Sequence, residues 1–418
     1  MSGTRLPRPD QVIGTVALQQ RRVAFSGLRL AYLSIGLVFV VSAVRQVTGQ
    51  HELSTSGTFG AAIISAIPIG LAGLGGLWSE RSGVVNIGLE GMMIMGTWGA
   101  GFAGPKWGVW AGVGFGILLG ALFGALHAVA TVTFGVDQII SGVAINLLGL
   151  GAAQYLSALA FPNQVTQSPQ IPSPPSVSIP WLPGAMLTVQ NHNWFLVSDL
   201  AGIVRAVTYQ ISYFTIIAVL LLPLTAFLLW RTAFGLRLRS CGEAPYAAET
   251  LGVNVYKYKY IAVITSGALA GFGGAYLAVI SSIYRDGQTS GRGFIGLAAM
   301  IFGNWRPGGL AAGAGLFGYT DALQLRSDSA VHALLLLFAV GLAGFAGWSF
   351  YRRKIVQGVV GSVFAVLVLL WYLTTDSLPP QLTYMTPYIT TLLMLALASQ
   401  RLRPPAADGI PYRRGQGG

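Results

Sequence analysis

The chain has 418 residues, of which 53% are hydrophobic, only 9% are charged and 56 are glycine. Soluble domains carry about 25% charged residues, so a chain this poor in charge cannot cover a water-facing surface and reads as an integral membrane protein. The formal net charge of +12 does not point to nucleic acid, because Lys and Arg sit in short clusters beside apolar segments and no polar domain remains to present a groove.

The first 27 residues are polar and basic (Arg5, Arg8, Arg21, Arg22), and the apolar run Leu28 to Val44 follows without a small-residue cleavage site. They read as a cytoplasmic segment ahead of an uncleaved first span. A spanning helix needs about 20 apolar residues. On that criterion spans are expected near 28–48, 58–77, 84–103, 107–131, 138–160, 211–230, 259–283, 309–326, 330–350, 355–374 and 386–400. Phe294 to Phe302 is apolar but short. If it crosses as a broken or paired short helix closing at Asn304 to Gly308, both termini lie inside and the basic clusters agree with one another; if it is re-entrant, the later clusters change sides. The expected fold is an all-α, polytopic helical bundle of about 10–12 transmembrane helices, with both termini cytoplasmic. Its transmembrane region is 28–400 and its cytoplasmic tail 401–418.

Residues 161–210 form the one long polar connection, proline-rich from Pro162 to Pro183. Proline removes donors and keeps the preceding residue out of the helical region, so the stretch SPQIPSPPSVSIP (168–180) of this external loop is expected to be extended. It reads either as a cap over the outer mouth or as an exposed linker. In the 107–131 span, Gly108, Gly112, Gly116, Gly120 and Gly124 recur at every fourth position. Positions four apart share a helix face, which makes a smooth groove for close helix packing. Gly267, Gly271 and Ala275 repeat the pattern in the 259–283 span. Gly99, Gly101 and Gly104 fit G-x-G-x-x-G, but no strand precedes them, so a dinucleotide site is excluded.

Polar groups inside a membrane are costly and face a cavity or a partner. Asn86 and Glu90 in SERSGVVNIGLEG are four apart and are expected on one helix face. They either line a hydrophilic path or satisfy the backbone of a broken helix. Gln138, Asn146 and Gln154 in the fifth span join them as substrate-path candidates, and His127 reads as a packed residue. No Lys follows a Gly, so there is no phosphate loop. The four histidines show no metal-ligand spacing and no H-E-x-x-H or G-x-S-x-G element occurs, so no catalytic residue, metal or cofactor is expected. Cys241 is the single cysteine and is given no role.

Arg231 to Lys259, RTAFGLRLRSCGEAPYAAETLGVNVYKYK, is the strongest basic interruption between apolar segments, which marks it as cytoplasmic. Pro245 suits a first helical position and Gly252 a stop, so a short helix is expected between them.

Several of these stretches carry a resemblance. SERSGVVNIGLEGMMIMG, GVDQIISGVAINLL (135–148), RTAFGLRLRSCGEAPYAAETLGVNV (231–255), SGALAGFGGAY (266–276), GRGFIGLAAMIFGNWRPGGL (291–310) and the closing GIPYRRG occur together in an order that resembles the permease subunits of bacterial ABC importers of the branched-chain amino acid and simple-sugar type. More narrowly, the chain is similar to the nucleoside permeases of that group. The resemblance implies a coupling helix that docks in a groove of an ATPase subunit, and it carries that role onto Gly242, Glu243, Ala244, Ala247, Ala248 and Gly252. It also implies three partners: a separate ABC ATPase, a second permease chain (homologous or identical) and an extracytoplasmic substrate-binding lipoprotein. Where the family has a short connection, residues 329–374 hold an extra apolar pair split by Arg352-Arg353-Lys354. Two rival functions stay open: a simple-sugar or branched-chain amino acid permease, and an ion-coupled transporter or channel.

Overall fold

The computed structural model describes residues 36, 38–161, 166–326, 328–375, 377–386, 389–390, 392 and 402–415. The expected cytoplasmic segment 1–27, most of the first half of span 28–48 and most of span 386–400 lie outside the described residues. Among the described residues, seven helices are long and apolar enough to cross a membrane, and the architecture is a polytopic all-α bundle.

The chain forms two compact units, one made of segments within 57–183, 205–327 and 379–418, the other of 1–56, 184–204 and 328–378. In the larger unit the helices are α2 (Ser56–Arg81), α3 (Leu89–Trp107), α4 (Val109–Ala128), α5 (Gln138–Ala160), α8 (Tyr213–Arg231), α9 (Ala233–Glu243), α10 (Pro245–Thr250), α11 (Val255–Ile280), α12 (Arg292–Phe302) and α13 (Pro307–Arg326). Their starts are written in side chains. Asp137 accepts from the Ile139 and Ile140 amides at 2.9 Å, Thr232 from Gly235 at 3.1 Å and Asn254 from Lys257 at 3.0 Å, caps worth about 1 kcal/mol each. The Asn254 cap starts α11 four residues earlier than the apolar run suggests, so Lys257 and Lys259 belong to the helix and not to the loop. Thr232 and Pro245 likewise begin two helices, α9 and α10, where the sequence suggests one.

α3, α4 and α11 form the dense centre. A Cβ placed on Gly116 would stand 2.6 Å from the Gly96 oxygen, one on Gly120 2.5 Å from Gly271 Cα, and one on Gly124 2.7 Å from the Val263 oxygen. The three helices therefore meet backbone to backbone, which only glycine allows. Gly112 rests on Gly104 in the same way, with a Cβ 3.0 Å from its Cα. Gly108 stands apart: it has φ +87 and open space around it, and it makes the turn between α3 and α4.

The start of the third span differs from the sequence expectation. Residues 84–88 are not helical, and the span begins only at Leu89, so Asn86 and Glu90 do not share a helix face. Gly83, with φ +82, turns the chain there. Within the loop 161–210 the proline-rich stretch 168–180 is free of helix, and beyond it come α6 (Leu182–Asn191) and α7 (Val197–Ala206). A two-residue antiparallel ribbon, β1 (Ser176–Val177) with β2 (Ile211–Ser212), pairs Ser176 with Ser212 and closes the loop at its base.

The short segment 294–302 lies in α12 (Arg292–Phe302), and the chain around it runs from one end of the bundle to the other. Past α11 the chain stands at the far end of the bundle, where Tyr284 lies against Gly101 and bonds Ser157. Residues 281–291 then run inward without helix to Glu90. From there α12 follows α2: Gly296 lies beside Ile69 and Gly73, Met300 beside Gly76, and the Trp305 carbonyl accepts from Arg81 at 2.7 Å. α13 returns the full length, with Ala314 at Gly70 and Arg326 at Gly57.

In the smaller unit, α1 (Val38–Thr48) and α7 are joined by a buried cluster in which Asp199 pairs with Arg45 at 3.2 Å and accepts from Ser42 and Ser54. α14 (Asp328–Tyr351) and α15 (Ile355–Thr374) are the extra apolar pair, packed where Gly361 meets Ala346 and Gly358 meets Phe350.

Candidate functional site

The polar residues singled out from sequence converge on the break between α2 and α3. Irregular backbone inside a membrane protein must be satisfied by the protein itself, at several kcal/mol for each group left unpaired. Gln138 accepts from the Val85 amide at 2.6 Å, and His127 Nε2 stands 3.1 Å from the Val85 carbonyl. Asn146 accepts from the Gly91 amide at 2.8 Å and donates to the Ile87 carbonyl at 3.0 Å. Asn86 accepts from the Gly88 amide at 3.0 Å and donates to Ser266 Oγ at 2.8 Å. Ser79 Oγ donates to Val84 O at 2.6 Å, and Lys259 Nζ to Gly83 O at 3.3 Å. Of the two roles the sequence left open for Asn86, capping a broken helix is the one its hydrogen bonds serve. Gln154 is separate from this cluster and donates to Asp286 at 3.1 Å.

Glu90, at the start of α3, reaches a different element. Its Oε1 accepts from Thr289 Oγ at 2.6 Å and the Gly291 amide at 2.9 Å, and its Oε2 from the Gly293 amide at 2.7 Å. The buried carboxylate thus sits on the first turn of α12, where unpaired amides and the helix dipole favour a negative charge. A Cβ on Gly293 would stand 2.7 Å from Glu90 Cα, so the close approach depends on glycine. Two interrupted helices meet in the bundle interior at this junction. Thr289, Gly291 and Gly293 carry no signal of this role in the sequence, since their partner is about two hundred positions away.

The second feature is the face formed by α9 and α10 at the Arg81 end of the bundle. Gly242 is buried, and a Cβ there would stand 2.9 Å from the Gly83 amide nitrogen, so this loop is pressed against the α2–α3 turn. Ala248 also points inward, into an apolar cluster with Cys241, Val255 and Tyr412. Glu243, Ala244, Ala247, Thr250, Leu251 and Gly252 face outward, and Leu251 is 84% exposed. Six residues carried over as a docking helix therefore divide: Gly242 and Ala248 seat the element, whereas Glu243, Ala244, Ala247 and Gly252 are available to a partner. The Cys241 thiol is buried and burial pushes it up to about 11, which makes it inert. Trp230 lies between Arg81 and Arg239, each 5.5 Å from its ring, fixing the end of α8 to the same face.

The permease component of the branched-chain amino acid transport system is the family whose model matches residues 58–340, more than half of the chain. Among curated proteins, the guanosine ABC transporter permease protein NupQ of Bacillus subtilis is 35% identical over 365 residues, covering 85% of this chain and 96% of its own. The putative glucose ABC transporter permease protein TsgC13 of Haloferax volcanii is 34% identical, over 86% of this chain and 98% of its own. The nucleoside ABC transporter permease protein NupC of Lactococcus lactis is 33% identical, over 84% and 94%. No solved structure matches. With glycine-packed spanning helices, two helix breaks satisfied from within and a family match across its centre, the chain belongs to the permease-component family of branched-chain amino acid transport systems and is a multi-pass translocation subunit of the plasma membrane.

Proposed function

We propose that this permease imports nucleosides by alternating access, driven by a separate ABC ATPase that docks on the outward face of α9 and α10. The observation that carries the reading is the construction of that face: a helix of six residues seated by Gly242 and Ala248 yet exposed at Ala247 and Leu251. A short helix anchored to two membrane helices moves with them, and binding energy spent on it biases one arrangement of the bundle over the other. The basic residues clustered at this end support a cytosolic side, the side where ATP is available.

Substrate is inferred to pass beside the junction of Glu90 with α12, because interrupted helices in a bundle interior are where transporters place their sites. Asn86, Gln138 and Asn146 frame this path through backbone bonds and leave recognition to groups that become free as the bundle rearranges. The nucleoside assignment rests on NupQ and NupC, whose names specify guanosine and nucleosides. A sugar substrate is the second reading, favoured by TsgC13. The remaining inferred partners are a second permease chain, related or identical, and an extracytoplasmic binding lipoprotein.

Deleting the gene is expected to abolish uptake of radiolabelled uridine and adenosine into cells while leaving glucose uptake unchanged. Lost glucose uptake with normal nucleoside uptake would establish the second reading instead. Orientation has its own test. Cys241 is buried, so the reporter is Thr250→Cys in a Cys241→Ser background. An impermeant maleimide is expected to label it only in permeabilised cells; labelling from outside would reverse the topology.

A further inference from the structure

The segment 402–415 has no part in the mechanism above, yet it is fastened to α9, α10, α11, the α2–α3 turn and the residue Asn304 beyond α12. The Arg403 amide donates to Asn304 Oδ1 at 2.8 Å, the Ala406 amide to Glu243 Oε2 at 3.2 Å and the Ala407 amide to the Gly242 carbonyl at 2.8 Å. A Cβ on Gly83 would stand 3.1 Å from the Ala407 oxygen, so the tail closes over the α2–α3 turn. Tyr412 is buried, with ring centroids 5.3 Å from Tyr246 of α10 and 5.4 Å from Tyr256 of α11. Arg414 pairs with Glu249 at 3.2 Å.

At the centre of this contact the Asp408 carboxyl meets the carboxyl of Glu80, at the end of α2, within hydrogen-bonding reach. Glu80 is buried and accepts from Trp305 Nε1 at 2.5 Å. Asp408 Oδ1 is buried, and among the described residues no N–H or hydroxyl donor reaches it. Two carboxyls in such contact need one proton between them, which supplies the missing donor. The charged groups facing the pair are Arg81 of α2 and Lys259 of α11. Beyond them stand Arg306 after α12 and Arg239 and Glu243 of α9, all facing Arg81.

We propose that residues Pro404–Arg414 are a positioning strap that ties the coupling helix α10 to the ends of α2 and α12, closed by a proton shared between Asp408 and Glu80. The strap makes α10, the α2–α3 turn and the end of the broken helix move as one body, so that a push on α10 reaches the Glu90 junction. Burial lifts the Asp408 carboxyl to about 7, against the opposing pull of the Glu80 hydrogen bond, Lys259, the Gly409 amide and Arg81. The docked tail therefore holds the proton more tightly than a free tail would. Docking is tightest below the ordinary carboxylate value, weakens as pH rises toward 7 and is weakest above it.

The inference rests on the reading of α9 and α10 as the ATPase face, and its test separates the two. Spin labels on Ile410→Cys and Thr250→Cys, in the full chain with Cys241→Ser, report tail docking without any ATPase. A single narrow distance is expected at pH 6, with a second, longer population at pH 8.5. Asp408→Asn, which supplies its own amide donor and cannot ionise, is expected to stay narrow at both. An unchanged wild-type distribution, or broadening that persists in Asp408→Asn, would overturn the shared proton. In the reconstituted complex Tyr412→Ala is expected to lower uridine-stimulated ATP hydrolysis about fivefold or more, the scale of one coupling interaction, with the ATPase still bound. Tyr412→Phe, which keeps the ring, should restore it. If Tyr412→Ala releases the tail and stimulation is unchanged while Ala247→Trp abolishes it, the strap is refuted and the docking face stands; if neither variant has an effect, the docking reading itself falls.

Discussion

Gly120→Leu is expected to eliminate folded permease from detergent extracts, whereas Gly114→Leu in the same helix should extract at the level of the unsubstituted protein. The contrast isolates packing from membrane insertion, since both substitutions raise hydrophobicity equally. A Cβ on Gly120 meets backbone, 2.5 Å from Gly271 Cα, whereas Gly114 has nothing within 4 Å. Overpacking costs about 1–3 kcal/mol where side chains can yield and more where they cannot. Here the neighbours are two helices pressed together along Gly116, Gly120 and Gly124, so α4 and α11 must separate for the leucine to fit. Size-exclusion profiles of the two variants provide the measurement. Equal monodisperse yields would remove the packing role of the stripe.

The second large effect is expected at Ala247. Ala247→Trp adds bulk to the outward side of α10 without touching the inward cluster of Cys241, Ala248, Val255 and Tyr412. Substrate-stimulated ATP hydrolysis by the complex should fall about tenfold or more, corresponding to about 1.4 kcal/mol or more of lost docking, while the permease remains inserted. Ala248→Trp is a different experiment. Its side chain points into the protein, so its effect would report damage to the seating of α10 and not an obstructed partner. Wild-type stimulation in a correctly inserted Ala247→Trp complex would make this loop a solvated connector.

The parts of this fold governed by local rules were legible in the sequence. Length and hydropathy located most of the helices, because a span must bury about 20 apolar residues whatever its neighbours are. The fourfold glycine spacing in α4 was readable because periodicity alone puts those residues on one face. What could not be read was anything decided by contacts distant in the chain. Asn86 and Glu90 looked like one helix face because the break at Val84 to Gly88 has no proline; it is held open by Gln138, His127 and Asn146 from other helices. The partners of Glu90 were not legible because the α12 amides that bind it arrive about two hundred positions later. Ala247 and Ala248 are indistinguishable by type, and only the packing of Tyr412 separates an exposed alanine from a seated one. The closing motif GIPYRRG (409–415) was recognisable, but the contacts of the preceding Ala407 with Gly242 and Asp408 with Glu80 emerge only when the ends of α2 and α9 come together.

Transport by this bundle depends on one event, the push of an ATPase on α10. Proteoliposomes containing the permease with its copurified ATPase and binding protein test it directly, with ATP supplied only on the side to which Thr250 faces. Radiolabelled uridine should accumulate on that side in the presence of ATP, stop when ATP is replaced by a non-hydrolysable analogue, and be lost in the Ala247→Trp complex. Accumulation that follows an imposed proton or sodium gradient, and persists in vesicles lacking the ATPase, would contradict the account and make the chain an ion-coupled transporter.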